Sequence, residues 1–372
     1  MIIEIRGVGF INKGAELMLH AIMQQFNSKY ENITYVMKAS RKTSTFSKRA
    51  EYGIFQKLSI KKFGIEFGGF ISKAKRQMYG IILDREVDLV LDASGFAHGD
   101  QWGVENTKKL AKLTKIWKKN GTKIVLLPQA FGPFSNEKTK KYMNEIAKNS
   151  NLIFTRENQS HSYLLSILKN HDNIYKMPDF TNLVHADNPE NFNSVENNVC
   201  IVPNYKMLTK TTKTSSYIPF LIKCIVYLRK KGKKPFILVH EGQKDMNIAL
   251  EISDNVGGIN IIEEADALKV KGIIGKSDAV IGSRFHSLVS ALSQSIPTLG
   301  TSWSHKYKML FEDYSYVVGL IDIDSNSETI YKKIDMIIDK DSRCEIKDNL
   351  SVESSKLKKM SIEMWSKVFK IL

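Results

Sequence analysis

The chain has 372 residues, 42% of them apolar, and a formal net charge of +16. That length exceeds one ordinary core and suits two domains. No apolar run reaches the ~18 residues that cross a bilayer, and the three scattered cysteines, Cys200, Cys224 and Cys344, argue against a disulfide framework and fit a reducing compartment.

In chain order, MIIEIRGVGF carries no basic leader and reads as a first strand, 2–7. Apolar residues at helical spacing follow at 14–26, then a strand at 33–38. Residues 39–84 read as irregular and basic. From Lys38 to Arg76 there are eleven Lys or Arg against two acids, Glu51 and Glu66, interleaved with Phe46, Tyr52, Phe55, Phe63, Phe67 and Phe70. Basic and aromatic residues together suit an anionic membrane surface; a solvated lysine-rich face is the alternative. Strand 87–94, helix 105–121, strand 122–129 stopped by Pro128, helix 136–149, strand 151–156, helix 158–169 and strand 173–177 complete the first series. The polar stretch 185–198 reads as a linker.

The second series runs strand 198–204, helix 217–232, strand 234–241, helix 244–255, strand 259–262, helix 265–276, strand 278–283, helix 285–294 and strand 296–301. Helices close the chain, the last at 353–370. The pattern predicts an α/β protein of two doubly wound Rossmann-like domains facing across a cleft. Their expected spans are 1–185 and 198–345, with a terminal helix in 346–372 that could cross back to the first domain. The eight histidines show no metal-ligand spacing, and no nucleic-acid motif is visible, so neither a metal nor nucleic acid is expected.

In such sheets ligands bind beyond the carboxyl ends of the strands, which makes strand-end residues the candidates. The first loop, GVGFINKGAE (7–16), offers Asn12, Gly14 and Glu16, with a tight turn and helix cap as the plainer reading. It lacks the Gly-Lys-Ser/Thr of a phosphate loop, and the second strand ends in Lys38-Ala39-Ser40 without a ribose-holding acid, so a nicotinamide cofactor is not expected. The stretch DASGFAHGDQWG (92–103) offers Ser94, Gly95 and His98, PQAFGPF (128–134) offers Gln129, LIFTR ends in Arg156, and MPDF contains Asp179.

The densest stretch is GSRFHSLVSALSQSIPTLG (282–300). After Ser283, Arg284 brings a permanent cation with fork geometry to a helix start that already favours an anion. His286 can move a proton near neutrality. Lys306 and Lys308 follow the next strand. The structural alternative is an arginine paired with an acid and a histidine packed on an aromatic ring.

Taken together, GFINKGAE (9–16), ASG (93–95), PQAFGP (128–133), TRE (155–157), PDF (178–180) and GSRFHSLVSALSQSIPTLGTSWSHK (282–306) resemble the polysaccharide pyruvyl transferase family. The resemblance implies a glycosyltransferase-B-like fold and transfer of pyruvate from phosphoenolpyruvate, as co-substrate and with no cofactor, onto a glycan. It puts the donor on the second domain, with Arg284 and His286 at the family's Arg-x-His motif and Lys306 at a basic position after it. The glycan acceptor falls to the first domain, where SGF at 94–96 and PQAFGP differ from the family's more usual GGG and PQGFGP.

The expectation is a cytoplasmic enzyme that forms a ketal on a cell-envelope or capsular glycan carried by lipid at the inner membrane face. One rival is a nucleotide-sugar glycosyltransferase of the same fold. Such enzymes place a ribose-holding Glu where this chain has Ser290, and Glu312 or Asp313 would have to replace it. The other is a non-catalytic anion- or membrane-binding protein on the same scaffold.

Overall fold

The computed structural model describes residues 1–41, 43–58, 61–62, 65–66, 71–168, 172–190, 192–210, 214–302 and 304–372. Lys42, Phe63, Phe67 and Phe70 of the basic, aromatic segment lie outside the described residues. The chain divides into two compact units. Unit 1 comprises Met1–Phe10, Met18–Asp179 and Ser361–Leu372; unit 2 comprises Ile11–Leu17 and Phe180–Met360. The change of unit thus falls at Asp179 and Phe180, ahead of the polar stretch 185–198.

Unit 1 is built on strands β1 (Ile2–Arg6), β2 (Thr34–Lys38), β3 (Phe55–Leu58), a short β4 and β5 pair (Lys61–Lys62, Ile65–Glu66), β6 (Ile81–Leu83), β7 (Leu89–Asp92), β8 (Phe96–His98), β9 (Lys123–Phe131), β10 (Leu152–Thr155) and β11 (Ile174–Lys176). Its helices are α1 (Lys13–Asn27), whose first turn belongs to unit 2, α2 (Phe46–Glu51), α3 (Lys73–Met78), α4 (Val104–Lys119), α5 (Glu137–Asn149) and α6 (Asn158–Ile167). The main sheet is parallel, in the order β11-β10-β9-β7-β1-β2-β3-β6, with β8 beside β9. Val90, Ile124, Leu126 and Ile153 point to one face of it, where they bury Leu110 and Trp117 of α4 and Met143 and Ile146 of α5.

Two expectations are corrected here. The described residues of 39–84 are not all irregular: β3 and β6 extend the parallel sheet by two strands. Both are only three or four residues long, which gives the alternation of a strand too little length to show. The strand expected to stop at Pro128 runs on to Phe131. Its pairing with β10 shifts register between Ile153 and Thr155, opposite Leu126 and Gln129, and such an irregularity tolerates a residue with no N–H to donate.

Unit 2 contains β12 (Val199–Val202), α7 (Thr214–Lys230), β13 (Pro235–Val239), α8 (Gly242–Asn255), β14 (Ile261–Glu263), α9 (Ala267–Gly275), β15 (Ala279–Gly282), α10 (Phe285–Leu292), β16 (Thr298–Gly300), α11 (His305–Asp313), α12 (Ser327–Ile338) and most of α13 (Lys340–Lys370). Its sheet is parallel, in the order β14-β13-β12-β15-β16. Alternation along these strands separates two cores. Ile201, Ile237 and Ile281 face α7, α8 and α12 through Leu221, Ile252 and Ile334. Cys200, Phe236, Leu238 and Val280 face α9 and α10 through Ile274 and Ala291. Helices on both faces make it doubly wound. The last turns of α13 return to unit 1, where Trp365 and Phe369 meet Phe26 at ring-centroid distances of 5.9 and 5.2 Å.

Candidate functional site

The order of the unit 2 sheet reverses between β12 and β15, whose last paired residues are Val202 and Gly282. Such a switch point is where a Rossmann sheet receives its ligand. The residues that leave these two strands hold one another. Asn204 donates its Nδ2 to the Ser283 carbonyl at 2.7 Å, and the Tyr307 hydroxyl donates to the same oxygen at 3.1 Å. The Tyr217 hydroxyl donates to Ser283 Oγ at 2.7 Å, and that oxygen also bonds Thr301 Oγ1 at 2.7 Å. Ser283 is therefore buried and taken up within the fold, where it holds the entry to α10.

Arg284 stands at the N-cap of α10 and is 6% exposed. Its guanidinium bonds Glu241 and Asp245, and Asp245 Oδ1 also accepts from the Tyr205 amide at 3.0 Å. The arginine thus takes the acid-paired alternative and is not an open cation. Burial raises the Asp245 carboxyl from its ordinary 3.8 to about 7, opposed by the Tyr205 amide and by Lys206. Burial also lowers the Arg284 guanidinium to about 10. Direct pairing favours both charged forms, and Arg284 is protonated at neutral pH on either account.

This cluster leaves polar atoms over. Arg284 Nε, Asp245 Oδ2 and both ring nitrogens of His240 are buried without a hydrogen-bond partner. His240 directly follows β13 and is 2% exposed. Burial holds its imidazole well below the ordinary 6.5, and the positive charges of Arg284, His286 and Lys13 push it the same way. Buried polar atoms are nearly always satisfied. Four such atoms at a switch point call for a polar partner, a ligand or ordered water, that the described residues do not supply.

Of the first loop, Asn12, Gly14 and Glu16 fall in unit 2, although the expected first domain spanned 1–185. Asn12 Oδ1 accepts from the Gly14 and Ala15 amides at 2.9 and 3.2 Å, so it caps α1. Lys13 pairs with the buried Glu16 at 2.9 Å and donates to the Ala265 carbonyl. Gly14 lies flat against His286: a Cβ at this position would stand 2.1 Å from His286 Nδ1. Two motifs some 270 positions apart in the chain meet on one imidazole. His286 is half-buried and its ring meets Phe285 edge-on at 5.4 Å.

Lys306 sits over the Phe285 and Tyr307 rings, 5.0 and 5.6 Å from their centroids. Lys308 is exposed and pairs along α11 with Glu312 at 3.7 Å, so it is not brought to Arg284. Lys13, Lys206, His240, Glu241 and Asp245 were not singled out from the sequence. His240 and Glu241 end KPFILVHE, the same strand-end signal that marked Arg156, and Lys13 lies inside a quoted motif. Asp245 has no local signal, because its partner is 39 positions away.

In unit 1 the sheet order reverses between β1 and β7. Arg6 at the end of β1 pairs with Asp92 at 3.6 Å, and Ser94 donates its amide to Asp92 at 3.1 Å. Gly7 has a φ of +75°, and a Cβ on it would lie 2.4 Å from the Ser94 backbone. Ser94 and Gly95 therefore sit at this switch point. Farther along, Arg156 pairs with Asp179 at 3.2 Å, both buried, and donates its amide to the Gln129 carbonyl at 3.0 Å. The Gln129 side chain is fully buried with neither amide atom paired. His98 is a core histidine: it bonds Thr107 Oγ1 at 3.1 Å, stacks on Phe131, and burial lowers its pKa.

Two parallel, doubly wound units of this kind define an α/β protein with Rossmann-like domains of the glycosyltransferase-B-like class. Solved structures share the fold. The UDP-GlcNAc 2-epimerase from Neisseria meningitidis bound to UDP-GlcNAc is 11% identical, with a TM-score of 0.60 and 99% of each chain covered. Anabaena HepE in complex with UDP is 12% identical, with a TM-score of 0.58 and 99% of each chain covered. A 2-epimerase structure from Listeria monocytogenes is 13% identical, with a TM-score of 0.58, covering 94% of this chain and 90% of the other. None of the curated proteins matches the chain. The profile of the polysaccharide pyruvyl transferase family matches residues 12–305, and the chain belongs to that family. It is a transferase by that membership, and its family acts in polysaccharide biosynthesis.

Proposed function

We propose that the chain transfers the pyruvyl group of phosphoenolpyruvate to two hydroxyls of a glycan, forming a ketal. The donor is held at the unit 2 switch point. The observation that carries this reading is the group of orphaned buried polar atoms on Arg284, Asp245 and His240, beside His286 and Lys13. A small dianion fits such a place when donors and fixed positive charge surround it.

The protonated His286 gives its proton to the CH₂ carbon of the enol, which becomes a methyl group. One glycan hydroxyl attacks the adjoining cation-like carbon and returns its proton to His286. The bond from that carbon to the phosphate oxygen breaks, phosphate leaves with its electron pair, and the second hydroxyl closes the ketal and releases a proton. Arg284 acts by positioning: it fixes Glu241 and Asp245 and leaves its Nε–H to donate to the departing phosphate. Ser94, Gly95, Gln129, Arg156 and Asp179 are the acceptor-side residues of unit 1. A cell-envelope or capsular glycan on a lipid carrier, presented at the inner membrane face, is the proposed acceptor.

The test is incubation of the purified chain with lipid-linked glycans and either phosphoenolpyruvate or nucleotide sugars, read by mass spectrometry. A mass gain of one pyruvyl ketal with release of phosphate supports the reading. A hexose gain from a nucleotide sugar establishes the glycosyltransferase instead, and no turnover with any donor leaves a binding protein.

A further inference from the structure

A cavity of about 410 Å³ opens on unit 1 among α2, β3 and the end of α3. Phe46, Ala50, Ile54, Phe55, Met78 and Tyr79 give it an apolar wall. Its volume lies within the ~300–1,000 Å³ of sites that take small organic ligands. Three of these apolar side chains face solvent to an unusual degree: Phe46 is 75% exposed, Met78 83% and Tyr79 76%. Single exposed apolar residues need no explanation, but several around one cavity mark a binding surface.

On the α3 side of this wall the exposed charge is positive. Lys73 and Lys75, on the same short helix as Met78, are exposed. Arg49 and Arg76, by contrast, are buried and tied down, to Ser44 and Gln56 and to Ile71 and Glu86. They hold α2 and α3 in place and leave the lysines for a partner. Nearby acids are already paired, Glu51 of α2 with Lys48 and Glu86, beyond β6, with Arg76. No helix among the described residues is long and apolar enough to cross a membrane. Contact with lipid would therefore be peripheral, through apolar side chains in the acyl boundary and lysines at the headgroups.

We infer that this face docks on an anionic phospholipid surface, with the cavity receiving a hydrocarbon chain and Lys73 and Lys75 meeting the phosphate headgroups. The site lies wholly in unit 1 and does not depend on the donor chemistry of unit 2. Turnover of a water-soluble acceptor is unchanged by its loss, so the two readings fail separately.

The experiment is co-sedimentation of the full chain with vesicles of phosphatidylcholine alone or mixed with phosphatidylglycerol. Binding is expected only to the anionic vesicles and weakens as salt rises. The double substitution Lys73→Gln/Lys75→Gln weakens it roughly thirtyfold, from the ~1 kcal/mol that each lysine near such a surface contributes. Phe46→Ser/Met78→Ser weakens it roughly tenfold or more through lost apolar burial. All four side chains are exposed, so the variants should melt as the parent does, which a thermal scan verifies. Equal binding to neutral vesicles, or none to either, overturns the proposal. So does full displacement by inorganic phosphate, which would show a site for free anions. A dimer in sedimentation velocity that Phe46→Ser/Met78→Ser abolishes, with lipid binding untouched, would assign the face to a second copy of the chain.

Discussion

His286 and His240 both lie in unit 2, and the proposed chemistry gives them opposite roles. His286 is half-buried at the start of α10, and the proposed chemistry needs its proton. His286→Ala should lower kcat by about 10²–10⁴-fold, the usual contribution of a positioned general acid, with little change in melting temperature. Continuous phosphate-release kinetics measure it, and a change in KM alone would limit His286 to binding. His240 is kept neutral by burial and by surrounding positive charge. The unfolded chain takes up a proton at this histidine below its ordinary 6.5 and the folded chain does not. Its contribution to stability is therefore complete above pH 6.5 and is lost as the pH falls from there towards the depressed folded value. A His240→Gln variant, which cannot titrate, should show a flatter melting temperature between pH 6.5 and 5. An unchanged slope would place the titration elsewhere.

Among the elements, the start of α1 and the start of α10 are coupled through Gly14. Any side chain there would enter the imidazole ring of His286. Gly14→Ala should move that ring by a fraction of an ångström to an ångström. Misplacement of that size costs about a hundredfold in rate, while the hydrogen bonds from the Asn12 cap remain. Steady-state kinetics beside a thermal melt would separate the two effects: full activity in the variant would show that the imidazole does not do the chemistry. Most long elements could be read from the chain, since a buried parallel strand such as LVLD or VCIV is a continuous apolar run and an amphipathic helix repeats every 3.6 residues. The short strands β3, β6 and β8 could not. Three or four residues carry too little pattern, and each is stabilised by the strands beside it.

For the whole molecule, a net charge of +16 sets the long-range field. A multiply anionic donor should be drawn in by that field, and salt should screen it. Raising ionic strength is therefore expected to raise the KM for phosphoenolpyruvate while kcat holds nearly constant. A flat KM would mean that local pairing alone decides capture. By itself the sequence determined the α/β class, the two βαβ series, the excess of positive charge and the place of the Ser283–His286 stretch at a strand end, because periodicity, composition and strand-end position are local properties of the chain. Only the tertiary structure decided that Arg284 is held by Glu241 and Asp245, that Lys308 turns to Glu312, that Asn12 and Gly14 serve unit 2, and that His240 is left neutral and unpaired. Those outcomes depend on which charges burial brings together from positions tens to hundreds of residues apart, and no short window of sequence contains that information.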